Sequence, residues 1–245
     1  MKIVIMLVLA LFLVPAADAG ADICVKQRAH TDDYYYGGRM TPAENTDIEV
    51  WFGDKRMAYV TDNRSIVIDL DGGKLTWINH TDSTYAEATL PFEWAGIADE
   101  ETVGWLGRYP LLGTIKATER TEKINGFDCR CYEITSWIDV QGSRYNETDE
   151  RLWVTTDLPV DPETLEKTNA IFAKLRNAGS EYAEALSAVE GYPILSDGDR
   201  YIKGFSIKTT EEVVEVLETD PREDVYSVPE GFIRKEKLTI QDIRG

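Results

Sequence analysis

The sequence is poor in the side chains that bind metals and carry acid–base chemistry at neutral pH. It has two histidines and three cysteines in 245 residues, so sites built from several histidine or cysteine ligands are nearly excluded. Positive charge is also scarce, with 26 Lys and Arg against 44 Asp and Glu and a formal net charge of -18. Nucleic-acid binding and electrostatic attachment to anionic lipid are therefore disfavoured, because both need a basic surface.

Catalytic signatures are missing as well. The chain has no G-x-S-x-G nucleophile elbow, no H-E-x-x-H zinc motif and no P-loop. The acids at 69–71 and 197–199 do not continue into a calcium-binding loop, so we interpret them as turn residues. His30 and His80 belong to no recognisable catalytic motif. We expect no enzymatic activity, no metal and no cofactor, and an unrecognised hydrolase is the remaining alternative.

Long hydrophobic runs are absent except at the start of the chain. The apolar stretch 3–14 follows a lysine and is too short to span a bilayer comfortably. Pro15 and an A-x-A sequence at 17–19 come next, as in a secretory signal peptide with its cleavage site. The sequence thus predicts a signal peptide over 1–19 and a single mature domain over 20–245, periplasmic or extracellular, without a transmembrane segment.

The mature chain reads as short strands separated by turns. Ile48, Val50 and Phe52 alternate with Glu49 and Trp51, as in a strand. Asn125-Gly126 is the strongest hairpin turn of the chain. Strands this closely spaced pair mostly antiparallel. The predicted fold class is α+β, a curved antiparallel sheet of about nine strands with helices packed on or closing its concave face.

Two segments depart from the strand pattern. The segment 91–112 mixes aromatic residues with Gly and acids without a clean period, and we interpret it as a helical or irregular flap. Asp161-Pro162 supplies an N-cap and a first-turn proline, and apolar residues at helical spacing predict a helical segment near 161–190. Strand is predicted to return at 201–209, at 213–217 and near 237–240.

A series of short motifs occurs in a characteristic order along the chain. The motifs are Val25–Asp32, Gly38, Pro42-Ala43, Trp51, Asp69, Trp77–Asn79, Thr84-Tyr85, Ile124–Cys129, Leu152–Val154, Gly191–Pro193 and Val228–Phe232. Their order resembles the bacterial DUF4412 family, which in turn is similar to the LolA/LolB/LppX/RseB superfamily of periplasmic lipoprotein carriers. The resemblance implies a LolA-like incomplete β-barrel closed by helices, with an apolar cavity for acyl chains.

Large apolar side chains on the strands and helices are the candidates for lining such a cavity. A curved sheet buries one face, so alternate strand residues and the facing helix residues would form its walls. The alternative interpretation is that these residues are ordinary core. The candidates are Trp51, Trp77, Phe92, Trp94, Trp105, Leu165, Phe172 and Leu175.

The three cysteines leave two interpretations open. Cys129 and Cys131 lie at i and i+2 of one strand and face the same side, where they do not easily bridge each other. Cys24 could form a disulfide with either of them in an oxidising compartment. Otherwise the three are inert thiols.

Two functions from different classes follow from these observations. The first is a periplasmic or secreted binding protein for a hydrophobic ligand, a lipid or a lipoprotein acyl chain. The alternative is a protein-interaction or sensor module that uses the same scaffold without a lipid. The partners implied are a lipid or lipoprotein, or a membrane-associated protein, and no nucleic acid.

Overall fold

The computed structural model describes residues 21–202 and 204–244, and the predicted signal peptide lies outside these residues. The strands are β1 (Asp22–Thr31), β2 (Tyr34–Tyr36), β3 (Arg39–Thr41), β4 (Glu44–Gly53), β5 (Arg56–Val60), β6 (Arg64–Asp69), β7 (Lys74–Asn79), β8 (Thr84–Thr89), β9 (Leu111–Ile124), β10 (Phe127–Val140), β11 (Ser143–Thr155), β12 (Tyr192–Ile202), β13 (Phe205–Thr219) and β14 (Ile233–Arg234). The helices are α1 (Trp94–Ile97), α2 (Glu100–Arg108), α3 (Pro162–Leu175), α4 (Ser180–Ser187) and α5 (Ile240–Arg244).

One open sheet of twelve strands dominates the described part of the chain. Its order is β14-β8-β7-β6-β5-β4-β1-β13-β12-β11-β10-β9, and every pair is antiparallel except β14 with β8. Two meanders, β4–β8 and β9–β13, meet at β1, which pairs with β4 on one side and β13 on the other. The predicted fold class, a curved antiparallel sheet with helices, is confirmed.

The curvature of the sheet brings distant strands together. The Asn125-Gly126 turn joins β9 and β10 as predicted, with φ values of 51° and 93°. At its tip, the Asn125 side-chain amide donates a hydrogen bond of 2.7 Å to the carbonyl oxygen of Val213 on β13. Since β11 and β12 lie between β10 and β13 in the sheet, the hairpin reaches back across the inner face.

Apolar rows cross the inner face of the first meander. Their members are register partners on successive strands, as the period-two alternation requires. Burying one such side chain contributes roughly 1.5–3 kcal/mol, so each row adds to the large core. One row is Ile23, Phe52, Met57, Ile68, Leu75 and Ala88, and the next is Val25, Val50, Tyr59, Ile66, Trp77 and Ala86.

The outer face of the same strands is covered by the segment 225–232. Cys24, Trp51, Ala58 and Val67 are register partners on that face and pack with Val225 and its neighbours. The Tyr226 hydroxyl donates to the Asp22 carboxylate at 2.7 Å, and the Arg56 guanidinium lies 4.0 Å from the centre of the Tyr226 ring. These contacts fix the segment against the sheet.

The helices form a connected layer. The segment predicted as a flap holds α1 and α2, and α3 and α4 occupy most of 161–190 between β11 and β12. The Asn177 side-chain amide donates to the carbonyls of Leu106 and Tyr109, both at 3.0 Å. The Trp94 indole donates to the carbonyl of Lys174 at 2.9 Å. No helix in the described ranges is both long enough and apolar enough to cross a membrane.

The predicted C-terminal strands were partly wrong. The stretch 201–209 is not one strand, because a turn at Gly204, with φ 87°, separates β12 from β13. Residues 237–240 do not form a strand; β14 is two residues long and lies earlier, and α5 begins at Ile240. The segment 201–209, predicted as a single strand, instead forms the turn of the β12–β13 hairpin, and β13 continues to Thr219.

The start of α3 gives the first testable prediction. The Asp161 side chain accepts hydrogen bonds from the Thr164 amide and hydroxyl, both at 2.8 Å. Asp161→Ala is expected to lower the free energy of unfolding by about 1 kcal/mol, because the amide loses its cap. Urea denaturation followed by circular dichroism measures this. Glu163→Ala, which removes only an exposed pair with Lys167, should change it by under about 0.5 kcal/mol.

Candidate functional site

A cavity of about 200 Å³ lies between the α3–α4 layer and the inner face of the sheet. We refer to it as the helix cavity. Its apolar walls come from both meanders and from both helices, and the Phe172 and Tyr59 rings meet across it with centres 5.8 Å apart. The apolar lining consists of Val50, Met57, Ile134, Leu152, Phe172, Ala173, Leu186 and Val189.

Several polar side chains share this apolar space. Gln27 is 5% exposed and Tyr192 6% exposed, and both line the cavity. Glu211 also lines the cavity. It pairs with Ala29 of β1, two residues from Gln27, so Glu211 and Gln27 lie on the same face of the sheet. Within the described ranges, no protein group hydrogen-bonds the side chains of Gln27, Tyr192 or Glu211. Their polar atoms are accessible from the cavity, because within the described ranges the Trp77 indole nitrogen is the one fully enclosed side-chain nitrogen or oxygen without a partner.

The electrostatics of the cavity centre on Glu211. Burial raises the pKa of the Glu211 carboxyl, the nearby Glu150 carboxylate raises it further, and the Arg176 guanidinium opposes both. Burial and the charge of Glu211 together raise the pKa values of the Tyr59 and Tyr192 hydroxyls. Glu150 accepts a hydrogen bond of 3.0 Å from the Ser196 hydroxyl. The cavity therefore holds hydrogen-bonding groups whose protons are retained to higher pH than usual, in a largely apolar setting.

The raised pKa of Glu211 predicts a pH dependence of stability. A carboxyl whose pKa is raised by folding stabilises the fold below the ordinary glutamate pKa, and that contribution is lost as pH rises through the folded value. Glu211→Gln should therefore leave stability unchanged in acid and increase it at neutral pH. Thermal unfolding of both proteins across this pH range measures the difference. An equal midpoint at every pH would contradict the assignment to Glu211, whose charged neighbours are Glu150 and Arg176.

A second recess is larger but has a different character. Its volume is about 450 Å³, and it lies beside the β9–β10 hairpin. Glu122, Lys123, Asp128, Arg130 and Glu190 contribute charged side chains to it. Since ligand sites are mostly apolar with few placed polar groups, the helix cavity is the better candidate despite its smaller volume.

The structure separates the eight side chains that the sequence nominated. Phe172 lines the helix cavity. Five others belong to the large inner core; the ring centres of Trp77 and Trp94 are 6.0 Å apart, and those of Phe92 and Trp94 are 5.2 Å apart. Trp51 lies on the outer face, and Trp105 packs on Tyr109 at the end of α2. The other two of the five core residues are Leu165 and Leu175.

The three cysteines are free and buried. Cys24 lies in the outer-face cluster, whereas Cys129 and Cys131 belong to the inner core. Burial raises the pKa of Cys24 to about 11 and also raises that of Cys129. A raised thiol pKa lowers the fraction of reactive thiolate.

This arrangement predicts slow thiol chemistry. At pH 8, fewer than one thiol per native protein molecule should react with a reagent such as dithionitrobenzoate, because all three cysteines are buried. After unfolding in guanidinium, all three thiols of the sequence should react. Reaction of a single thiol after unfolding would instead show that two of the cysteines form a disulfide, and peptide mapping would identify the pair.

The sequence analysis missed the polar residues of the site. Ile23, Val25 and Gln27 occupy alternate positions of β1, so Gln27 is a polar residue in an inward-facing series. That break in the pattern is the one signal the sequence offered. Nothing local placed Glu211 or Tyr192 beside it, because their strands follow β1 by more than 160 residues.

Comparison with known proteins gives a match to a family model and matches to solved structures. The family described as "Domain of unknown function (DUF4412)" matches residues 43–232. No curated protein matches the chain. A solved structure described as "putative outer membrane lipoprotein-sorting protein domain from Vibrio parahaemolyticus" is 8% identical, covers 84% of this chain and 89% of its own, and has a TM-score of 0.30. That score carries no argument about function.

Proposed function

This chain belongs to the DUF4412 family, and from that premise we propose that it is an extracytoplasmic binding protein for a hydrophobic ligand, a lipid or a lipoprotein acyl chain. The observation that carries the proposal is the helix cavity, whose walls include Val50, Met57, Phe172 and Leu186. Each methylene moved from water into such walls contributes about 0.8 kcal/mol. The signal peptide that the sequence predicts supports a location outside the cytoplasm, and we propose no catalytic role.

The size of the cavity defines how binding would occur. Its volume of about 200 Å³ is below the roughly 300–1,000 Å³ of typical ligand pockets. The closed form thus accommodates one end of a chain, and a longer chain requires α3 and α4 to move away from the sheet. The hydrogen bonds that Asn177 makes with the end of α2 are the contacts that such a movement would break first.

Native mass spectrometry tests the proposal directly. The mature protein is purified gently from a secreting bacterial host and measured before and after solvent extraction. We expect an added mass that extracts as phospholipid or fatty acid. A clean unliganded mass, together with no uptake of added lipid, would overturn the proposal.

A second candidate function rests on a different surface. Tyr145, Tyr201 and Phe205 are 40%, 41% and 52% exposed and lie on adjacent strands at the same end of the sheet. Exposed aromatic residues of this kind are enriched at protein interfaces. A protein-interaction or sensor module would use this end. Crosslinking to a partner that is lost in a Tyr201→Ser, Phe205→Ser variant, with no lipid bound to the helix cavity, would favour this alternative.

A further inference from the structure

We propose that the helix cavity selects single-chain amphiphiles by their head group, binding a primary ammonium in preference to a carboxylate, with Glu211 and Gln27 as the groups that bind the head. This inference rests on the proposed function and names the ligand class. The observation that carries it is a set of polar side chains that line the cavity among apolar walls and have no protein partner.

The unpartnered groups are built into the cavity. Gln27 is 5% exposed and lines the cavity. No group in the described ranges hydrogen-bonds its side-chain amide. Glu211 also lines the cavity without a described hydrogen-bond partner, and its side chain is partly exposed. The polar atoms of both residues are accessible from the cavity, because within the described ranges the Trp77 indole nitrogen is the one fully enclosed side-chain nitrogen or oxygen without a partner. A ligand head in the cavity can therefore hydrogen-bond both residues.

The balance of charge decides which head fits. Two carboxylates, Glu150 and Glu211, face one guanidinium, Arg176, in the lining, which leaves one net negative charge. Glu150 already accepts from Ser196, and Arg176 is exposed at the end of α3. The free acceptors are therefore the Glu211 carboxylate and the Gln27 carbonyl oxygen.

An ammonium matches these acceptors. It carries three donors and a positive charge, so it can donate to Glu211 and Gln27 together, with the Tyr59 and Tyr192 hydroxyls as further acceptors beside them. A carboxylate head brings no donor and would meet the charge of Glu211. Hydrogen bonds to charged groups are the strong ones, so the head contributes selectivity while the tail contributes burial.

A series of ligands with one tail and three heads tests this. Octylamine, octan-1-ol and octanoate are titrated calorimetrically into the mature protein at pH 7 and 0.15 M salt, which screens general attraction to its negative surface. We expect octylamine to bind about tenfold more tightly than octanol, and octanoate to bind least. The Glu211→Gln variant should bind octylamine with about the same affinity as octanol.

The matched control removes the same charge elsewhere. Glu166 is exposed on α3, and Glu166→Gln should keep the preference for octylamine. If the preference survives in Glu211→Gln, the acidic surface as a whole causes it and the inference is wrong. Equal binding of all three ligands overturns the head selection but leaves the hydrophobic-ligand function standing. Binding of none overturns both.

Discussion

Phe172→Glu is expected to abolish uptake of a hydrophobic ligand while the protein remains folded. Phe172 lines the helix cavity opposite Tyr59, and it is half-buried on α3. A carboxylate there would lie in an apolar wall, and a bound alkyl chain would have to strip its water, so desolvation of the carboxylate opposes binding of the chain. We expect at least a hundredfold loss of affinity, about 3 kcal/mol, measured by lipid uptake in native mass spectrometry or by calorimetry.

The control for this change lies two residues earlier on the same helix. Ala170 is exposed, so Ala170→Glu adds the same charge to the solvent side of α3 and should leave binding unchanged. Circular dichroism must show that both variants keep the wild-type strand content. Should Phe172→Glu unfold, Leu186→Asn tests the part of the helix wall that α4 contributes. A folded variant that still binds at wild-type affinity would place the ligand outside the helix cavity.

The sheet was predictable because its strands obey a local rule. Ile48, Val50 and Phe52 were predicted to face one way, and all three are buried on the inner face. The Asn125-Gly126 turn requires positive φ at both residues, which these two residue types tolerate best, and the hairpin forms there. Alternation and turn chemistry act within a few residues, so one sequence is enough to read them.

Trp51 shows where that reading stops. The same alternation that faces Val50 inward faces Trp51 outward, so it lies away from the helices. It is nonetheless 5% exposed, because the segment 225–232 covers it. From the sequence alone, a large apolar residue on a strand is a candidate for the inner face. Only the position of the covering segment, nearly 180 residues away in the chain, explains why Trp51 is buried on the outer face.

The polar residues of the site lay beyond sequence reasoning for a related reason. Gln27 and Glu211 are brought together by the pairing of β1 with β13, the step that joins the two meanders. Glu211 stands beside Glu212, and such an acidic pair by itself indicates a solvated strand face. Glu211 instead lines the helix cavity together with Phe172 of α3, and no local pattern of the strand encodes that proximity.

Gly191→Ala is expected to be the most destabilising glycine substitution near the site. Gly191 has φ 108°, a backbone conformation that side chains of L-residues rarely adopt. A Cβ there would overlap the Thr155 carbonyl oxygen and lie 2.8 Å from its carbonyl carbon. The next residue, Tyr192, pairs with Thr155 and contributes to the cavity, so the backbone cannot move aside without displacing β12. We expect a loss of about 3 kcal/mol or more.

Gly73→Ala separates the cost of the backbone conformation from the cost of the steric overlap. Gly73 lies in the turn between β6 and β7 with φ 61°, and a Cβ there would meet no atom within 4 Å. It should lose only the conformational part, about 1–2 kcal/mol. In thermal unfolding, the midpoint of Gly191→Ala should fall by roughly 6–12 °C and that of Gly73→Ala by about half as much or less. Equal losses would mean that β12 yields to the new methyl group, and the wall that Tyr192 gives to the helix cavity would then be adaptable rather than fixed.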